Sequence, residues 1–483
     1  MNYLFRTGIS QESGVAFLGD PSKSGAGASV GGASIASELQ TRGLALYGPD
    51  ILKGFSISPD FSVIFQTPLP YQDYVAVEQP YQTDFYDLPT DNLGKPIPYD
   101  EMVDTYLNRD GIKNRYRELL QQYGTIIDIS HFYVEAAVRG ALLEELAQEK
   151  KYGNIHERII QITHFHSSPD FTIRADSPEF HQKLGTSWER RMYEIATMHT
   201  SIVQFSTERE REMTARAYDG VHGLTYNHIM SKSFVAPLPI NTEAFVVDDP
   251  SEKRITARRI LEIPEDALVY GMVSRIDTEK GYDTLISNFR EWIESKKNGG
   301  MDVGSLPYLA VIGGIPGKNP RLKERADEIK KLVLKMTDDL RSHIIFPCKA
   351  MRGGDVFHAF DAYFGPSETE TLHLAPKEAG LCEIFTTLKN GELVRHGIPA
   401  FLSRIAAHIE THPDGSAYLF DQNSKEEFFK AFEAALDPQQ RIDLGIKNAE
   451  NSKRYSLQVS TLTFITKLMK VLIAKNQAFT VTV

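Results

Sequence analysis

Short apolar, β-branched runs recur along this chain, each closed by a polar or small-residue turn and each followed by a stretch long enough for a helix. No other feature constrains the fold as strongly. Strands separated by helices form parallel sheets with helices packed on both faces. In the first half the runs are Ser62–Phe65, Thr125–Ile129, Arg158–Thr163 and Ser201–Phe205. The second half repeats the pattern with Leu268–Val273, Leu309–Ile312, Ile344–Phe346, Ala362–Phe364 and Gly397–Ser403. At 483 residues the chain exceeds a single compact core and fits two domains. The boundary is expected near residue 246, after Phe234–Leu238 and the turn Pro239-Ile240-Asn241-Thr242. That gives an α/β protein with domains at 1–245 and 246–455. A final segment, 456–483, carries an amphipathic helix over 457–475. Its Leu457, Phe464, Leu468 and Leu472 share a face, and it is expected to pack back toward the first domain.

Composition removes several function classes. A formal charge of −11 argues against a nucleic-acid binder, which needs a concentrated basic face. The 2 cysteines, Cys348 and Cys382, make no disulfide framework and fit a reducing, cytoplasmic setting. The start, MNYLFRTGIS, is too short and polar for a secretory signal, and no apolar run reaches the length of a membrane span. Residues 67–110, rich in Pro, Tyr and Asp, fit no periodic template and read as a long loop.

Chemistry-bearing residues gather where strands end, which is where open α/β sheets bind ligands. Behind Ala362–Phe364 comes GPSETETLHLAPKEA, with Glu370 before a helix and Glu378 inside it. The start of a helix suits a phosphate, and flanking carboxylates accept hydrogen bonds from sugar hydroxyls. Behind Leu268–Val273 stand Arg275 and Lys280, two cations on one strand-to-helix loop ahead of a helix over Thr284–Lys296. Near the amino terminus, the glycine-rich stretch Ser24–Gly32 runs into a helix expected over Ala33–Arg42, so backbone amides there are open to a ligand. After Arg158–Thr163 come His164 and His166. Two imidazoles at that spacing, with no further ligand nearby, do not make a zinc site. No metal site is expected elsewhere. Further helices are expected over 187–199, around Asp355–Phe360 and over 425–437.

The string Pro366-Ser367-x-x-Glu370-x-x-x-Leu374-x-x-x-Glu378-Ala379 resembles the PS-x-x-E-G-F-G-L-x-x-x-E-A motif of retaining nucleotide-sugar glycosyltransferases of family 4, the group around sucrose-phosphate and glycogen synthases. Other parts match in the family's order. Gly31-Gly32 resembles its glycine pair, and His166-Ser167 its donor-facing histidine, with His164 as the alternative. Arg275, Lys280 and Gly281 are in register with its G-R-x-x-x-x-K-G loop, and Gly397-Ile398-Pro399 through Ser403 resembles G-x-P-v-v-a-S. The resemblance implies the GT-B arrangement, two Rossmann-like lobes facing a cleft. It implies that Glu378 binds ribose, that Arg275 and Lys280 bind phosphate, and that Glu370 orients the donor sugar with His166. It also places Gly31, Gly32 and the loop residues Leu372, His373 and Leu374 against the donor. The partners it implies are a UDP- or GDP-linked sugar and a small-molecule, glycan or protein acceptor, with no cofactor.

The chemistry fits these residue types. Breaking the anomeric bond leaves negative charge on the β-phosphate, where fixed cations act as it grows. Three departures from the family pattern stand out. His373 replaces the second glycine of G-F-G, Ala406-Ala407 replaces a Gly-Gly pair, and residues around 381–394 read as an insertion. The main expectation is a retaining, metal-independent glycosyltransferase. The alternatives are a catalytically silent GT-B protein that binds a nucleotide sugar or a partner, and a phosphorylase or epimerase on the same fold.

Overall fold

The computed structural model describes residues 2–8, 62–65, 125–130, 142–152, 155–164, 202–217, 223–314, 320–347 and 353–474, with scattered residues between. Of these, residues up to Pro239 and from Leu457 onward form one compact unit, and Ile240–Ser456 form a second. Gly31, Gly32, His166 and the expected 67–110 loop and 187–199 helix lie outside the described residues.

The described residues of the first unit form six parallel strands: β1 (Asn2–Gly8), β2 (Ser62–Phe65), β3 (Thr125–Ser130), β4 (Ile159–His164), β5 (Ile202–Phe205) and β6 (Ser233–Val235). They lie in the order β2-β1-β3-β4-β5-β6. Every residue of β4 is buried, as an interior strand of a parallel sheet requires. The short helix Ile155–Arg158 leads into β4, so the strand begins at Ile159 instead of Arg158. Helix α1 (Glu208–Ala217) follows β5.

The second unit contains helices α2 (Pro250–Ile260), α3 (Tyr282–Asn298), α4 (Pro320–Leu334), α5 (Ala375–Leu381), α6 (Ala406–Thr411), α7 (Lys425–Leu436) and α8 (Pro438–Lys453). Its six-stranded sheet comprises β7 (Val269–Val273), β8 (Tyr308–Ile312), β9 (Ile344–Ile345), β10 (Ala362–Gly365), β13 (Ala400–Ser403) and β14 (Tyr418–Phe420). The order β14-β13-β10-β7-β8-β9 is that of a doubly wound sheet. The chain starts at β7, winds out through β8 and β9, then returns to lay β10 on the other side. The winding direction therefore reverses between β7 and β10, the switch point at which sheets of this kind bind their ligands.

An aromatic core ties together the strands on either side of that switch point. Tyr270 of β7 packs on Phe364 of β10 at 5.2 Å between ring centroids, and Phe364 stacks on Phe401 of β13 at 4.9 Å. Trp292 of α3 is fully buried and donates its indole N–H to Glu433 at 2.7 Å. Removing an aromatic of this size from a core costs about 3–5 kcal/mol.

Helix boundaries follow local chemistry. Asp249 caps α2 by accepting from Ser251 and Glu252 N–H groups, with Pro250 in the first turn. Asp437 ends α7 and caps α8, again with proline in the first turn. The region around Asp355–Phe360 is one α-turn, Gly353–Val356, followed by a 3₁₀ turn, Phe357–Ala359. The residues that read as an insertion form an antiparallel hairpin, β11 (Glu383–Thr387) with β12 (Leu393–Gly397).

The chain then leaves the second unit beside its point of entry, where Ile240 N–H donates to Tyr455 carbonyl at 2.8 Å. The last described helix, α9 (Leu457–Ala474), belongs to the first unit. There its buried Phe464, Ile465, Leu468, Met469 and Leu472 face the sheet, with Phe464 5.7 Å from Phe234. Among the described residues, no helix is long and apolar enough to cross a membrane.

Candidate active site

The switch between β7 and β10 is where two of the sequence-expected residues, Lys280 and Glu370, meet. The segment after β7 turns through Asp277, whose carboxylate caps a 3₁₀ turn, Thr278–Lys280. Gly281 follows with φ +70°, a left-handed conformation that favours glycine, and a Cβ there would collide with the Pro366 carbonyl oxygen. That close approach fixes the β7 loop against the β10 loop, as does the bond from Glu368 N–H to Glu279 carbonyl at 2.8 Å.

Across this junction Lys280 Nζ donates to Glu370 Oε1 at 2.8 Å, and Ser367 Oγ donates to the same oxygen at 2.9 Å. Both ionic side chains are about nine-tenths buried, at 10% and 11% exposure. Burial works to lower the Lys280 ammonium, but Glu370 and then Glu279, 3.5 Å away, outweigh it and raise the group above its ordinary value. Burial likewise works to raise Glu370, and the Lys280 ammonium overrides it, holding the carboxyl well below the usual range. Glu370 Oε2 has no hydrogen-bond partner among the described residues.

Arg275, on the same segment as Lys280, is exposed, and among the described residues it makes no hydrogen bond or ion pair. Its charge opposes that of Lys280, so the two cations share one field. Lys280 is therefore not a free cation on its strand-to-helix loop. It is engaged to Glu370, and Arg275 is the uncommitted charge.

Glu378 sits on α5 in a different setting. Its carboxylate takes no hydrogen bond or ion pair among the described residues, and burial pushes it up to about 7. The helix beneath it has only 7 residues, and Pro376 in its first turn has no N–H. It offers fewer donors than a longer helix start would. Leu372 and Leu374 are half-buried and pack against the core beneath the loop. His373 is buried, its ring against the Gly365 backbone, where an added Cβ would lie 2.8 Å from His373 Cε1.

In the first unit, His164 ends β4 fully buried, with Nε2 3.1 Å from Ser206 Oγ. It is packed inside that unit, and His166 lies outside the described residues.

Sequence reasoning missed several members of the site. Tyr363, Ser367, Ser403, His408 and Lys377 all lie within one hydrogen-bonded network around Glu370 and His373. Ser367 and Ser403 stood inside recognised motifs. His408 had one signal, its place directly after the Ala406-Ala407 pair that departs from the family pattern. Lys377 is fully buried, donates to His373 carbonyl at 3.0 Å and lies 4.8 Å from the Tyr455 ring. Burial lowers its ammonium to about 7. Among the described residues, no three His, Cys, Asp or Glu side chains gather as a metal cage.

No protein-family model matches this chain, and no curated protein matches its sequence. Solved structures do match it along nearly the full length. Sucrose-phosphate synthase from Thermosynechococcus elongatus aligns with TM-score 0.60 and 17% identity, covering 98% of this chain and 100% of that one. An α,α-trehalose-phosphate synthase (UDP-forming) from Burkholderia vietnamiensis aligns with TM-score 0.59 and 13% identity, over 97% and 100%. The Anabaena protein HepE, in complex with UDP and glucose, aligns with TM-score 0.57 and 13% identity, over 97% and 100%. The two parallel sheets of this chain are thus those of the GT-B glycosyltransferase fold.

Proposed function

We propose that this protein is a glycosyltransferase that binds a nucleoside-diphosphate sugar on its second unit and passes the sugar to an acceptor hydroxyl with retention of configuration. The observation that carries this reading is the meeting of Lys280 and Glu370 at the β7/β10 switch, with Glu378 on the following helix unpartnered among the described residues. Residues 90 positions apart in sequence join there, where a doubly wound sheet holds its ligand. The structural likeness to UDP-forming and UDP-bound proteins makes a uridine diphosphate sugar the first donor to test, ahead of a GDP-linked one.

In this reading Glu378 accepts hydrogen bonds from the ribose hydroxyls, which favour its charged form and return its carboxyl toward the ordinary range. Arg275 and Lys280 face the diphosphate, where negative charge grows as the anomeric bond breaks. Glu370, aligned by Lys280 and Ser367, leaves Oε2 for a donor-sugar hydroxyl. Both carboxylates are then engaged with the donor, and neither serves as a base on the far side of the ring. The departing phosphate oxygen takes the acceptor's proton, so attack comes from the leaving-group face and the donor's linkage is kept. No metal or cofactor is required in this scheme. Gly31, Gly32 and His166 keep the roles the family resemblance gives them, as targets for substitution.

Proton NMR of the first-formed product tests the reading. An α-linked donor should give an α-anomeric coupling, with turnover unchanged by chelator. A β-anomeric coupling, or loss of turnover in chelator, would overturn the mechanism.

A second reading has one observation in its favour. His373 stands at the position where the resembling family has a glycine. A protein that binds the nucleotide sugar without transferring it would show saturable donor binding and no product with any acceptor.

A further inference from the structure

Beneath the Glu370 loop, four residues form a buried line of hydrogen bonds. Tyr363 hydroxyl lies 3.1 Å from His373 Nε2, and His373 Nδ1 lies 2.9 Å from His408 Nε2. His408 Nδ1 in turn lies 2.8 Å from the Ser403 carbonyl oxygen. All four are buried, His373 the least so at 7% exposure. Burial pushes the His408 imidazole down to about 4 and the His373 imidazole well below its ordinary range, so both rings are neutral.

Donor and acceptor accounting then places every proton. A carbonyl oxygen only accepts, so His408 Nδ1 carries the hydrogen. Its Nε2 is then a lone pair, and His373 Nδ1 must donate to it. His373 Nε2 is left as an acceptor, filled by the Tyr363 hydroxyl. The opposite assignment would set a His408 lone pair against a carbonyl. Ser403 Oγ, 3.2 Å from His408 Nδ1, does not relieve that clash, because it already donates to the Ser367 carbonyl at 2.6 Å.

An extra proton on this line has one place to go. His408 Nε2 already faces an N–H, so the proton must settle on His373 Nε2, which lies 3.8 Å from Glu370 Oε1. Tyr363 would then turn its hydroxyl to the Val273 carbonyl, 3.3 Å away. His373 would become a second cation on the oxygen that Lys280 and Ser367 already hold. Of the charged and titratable groups facing it, Glu370 on its own loop favours that proton. Lys280 after β7, Lys377 on α5 and His408 on α6 oppose it, and Tyr363 on β10 competes for the site.

We propose that His373 is a positioning residue for Glu370: Tyr363, His408 and Ser403 lock it as the Nδ1–H tautomer. Among the described residues, Lys280 then remains the sole cation at Glu370 Oε1. The inference rests on Glu370 being the donor-sugar carboxylate. It assigns work to a side chain that stands where a glycine is expected.

The test combines spectra and kinetics. In the full-length protein with nitrogen-labelled histidines, His373 should report a protonated Nδ1 and a bare Nε2 from about pH 5.5 to 8.5. Its signal would be assigned by loss in His373→Asn. A protonated Nε2 in the unsubstituted protein overturns the proposal, and this arm needs no variant beyond the assignment control. Tyr363→Phe removes the hydroxyl that fills Nε2. There His373 should take up a proton at least about one pH unit higher, with kcat falling about tenfold on the acid side and recovering at alkaline pH. The KM for donor should stay within about twofold. A loss of the same size at every pH would mark a purely structural role and overturn it. If no nucleotide sugar is turned over at all, the transferase reading fails by itself. The imidazole shift in Tyr363→Phe still judges the lock, and an unshifted imidazole overturns it.

Discussion

Glu370 and Glu378 stand eight positions apart on one loop and the helix that follows, and the fold treats them in opposite ways. Glu370 is clamped by Lys280 at 2.8 Å and Ser367 at 2.9 Å, and its carboxyl is held well below the ordinary range. Glu378 has no partner among the described residues, and its carboxyl rises to about 7. Burial acts upward on both. What separates them is a cation within hydrogen-bond reach of one and not the other. The comparison teaches that protein groups alone organise the loop residue, whereas the helix residue has no donor among the described residues. That division matches a sugar-orienting group beside a ribose-binding one.

The largest effect should come from breaking the clamp. Lys280→Ala leaves the Glu370 carboxylate buried without its cation, which costs about 3–5 kcal/mol of stability when a buried pair loses one partner. Turnover should drop by more than about a hundredfold, and thermal unfolding should show the lost stability directly. A variant with unchanged Tm would mean the pair contributes little and that the contrast with Glu378 is overstated. Glu370→Gln should be milder for stability, since Lys280 keeps Glu279 at 3.5 Å, yet as severe for turnover.

Next comes Glu378, where the sign of the pH effect sharpens the contrast. Its folded-state carboxyl lies above the ordinary value of 4.5, so the folded form holds a proton that the unfolded chain has lost. Stability therefore falls as pH rises from about 4.5 to 7, and the cost stays in full above that. For Glu370 the sign is reversed. Its folded-state carboxyl is depressed, so its contribution is present above the unfolded value and is lost as pH falls toward the folded one. Glu378→Gln should raise Tm at about pH 8 and leave it unchanged near pH 4. An equal Tm gain at both pH values would show that Glu378 is not a carboxylate strained by burial.

The smallest expected effect is at Arg275. Because it is exposed and unpaired among the described residues, Arg275→Ala should leave Tm unchanged. Nucleotide affinity should weaken by about tenfold, the value of one charge-assisted contact. Calorimetry that finds no weakening would remove Arg275 from the site and leave Lys280 to face the phosphates alone.

Much of this arrangement was legible in the sequence, for identifiable reasons. Strands such as VYGMV and AYFG announce themselves because parallel strands are buried on both faces and read as unbroken apolar runs. Glu370, Glu378, Lys280 and Gly281 were legible through the resemblance of their two loops to the family's motifs, since neither loop is distinctive when read alone. Helices α2 and α8 were not foreseen, since both are largely polar and begin at Asp-Pro pairs that also read as turns. The β11–β12 hairpin read as an insertion because it lengthens the spacing between the Glu378 helix and Gly397-Ile398-Pro399 beyond the family's pattern. The Tyr363–His373–His408 line was invisible for a different reason. Its members are 10 and 35 positions apart, and no local pattern encodes a contact between a loop histidine and a helix histidine. The pairing of Lys280 with Glu370 is of the same kind, with each residue legible and their ion pair not.

The central claim is that these two carboxylates do separate jobs on one donor. Calorimetric titration of UDP and then of UDP-glucose into the wild type, Glu370→Gln and Glu378→Gln tests it most directly. Glu378→Gln should lose about tenfold or more in affinity for UDP itself. Glu370→Gln should bind UDP within about threefold of wild type and lose the additional affinity that the sugar confers. Equal losses in both variants, or UDP binding untouched by Glu378→Gln, would contradict it.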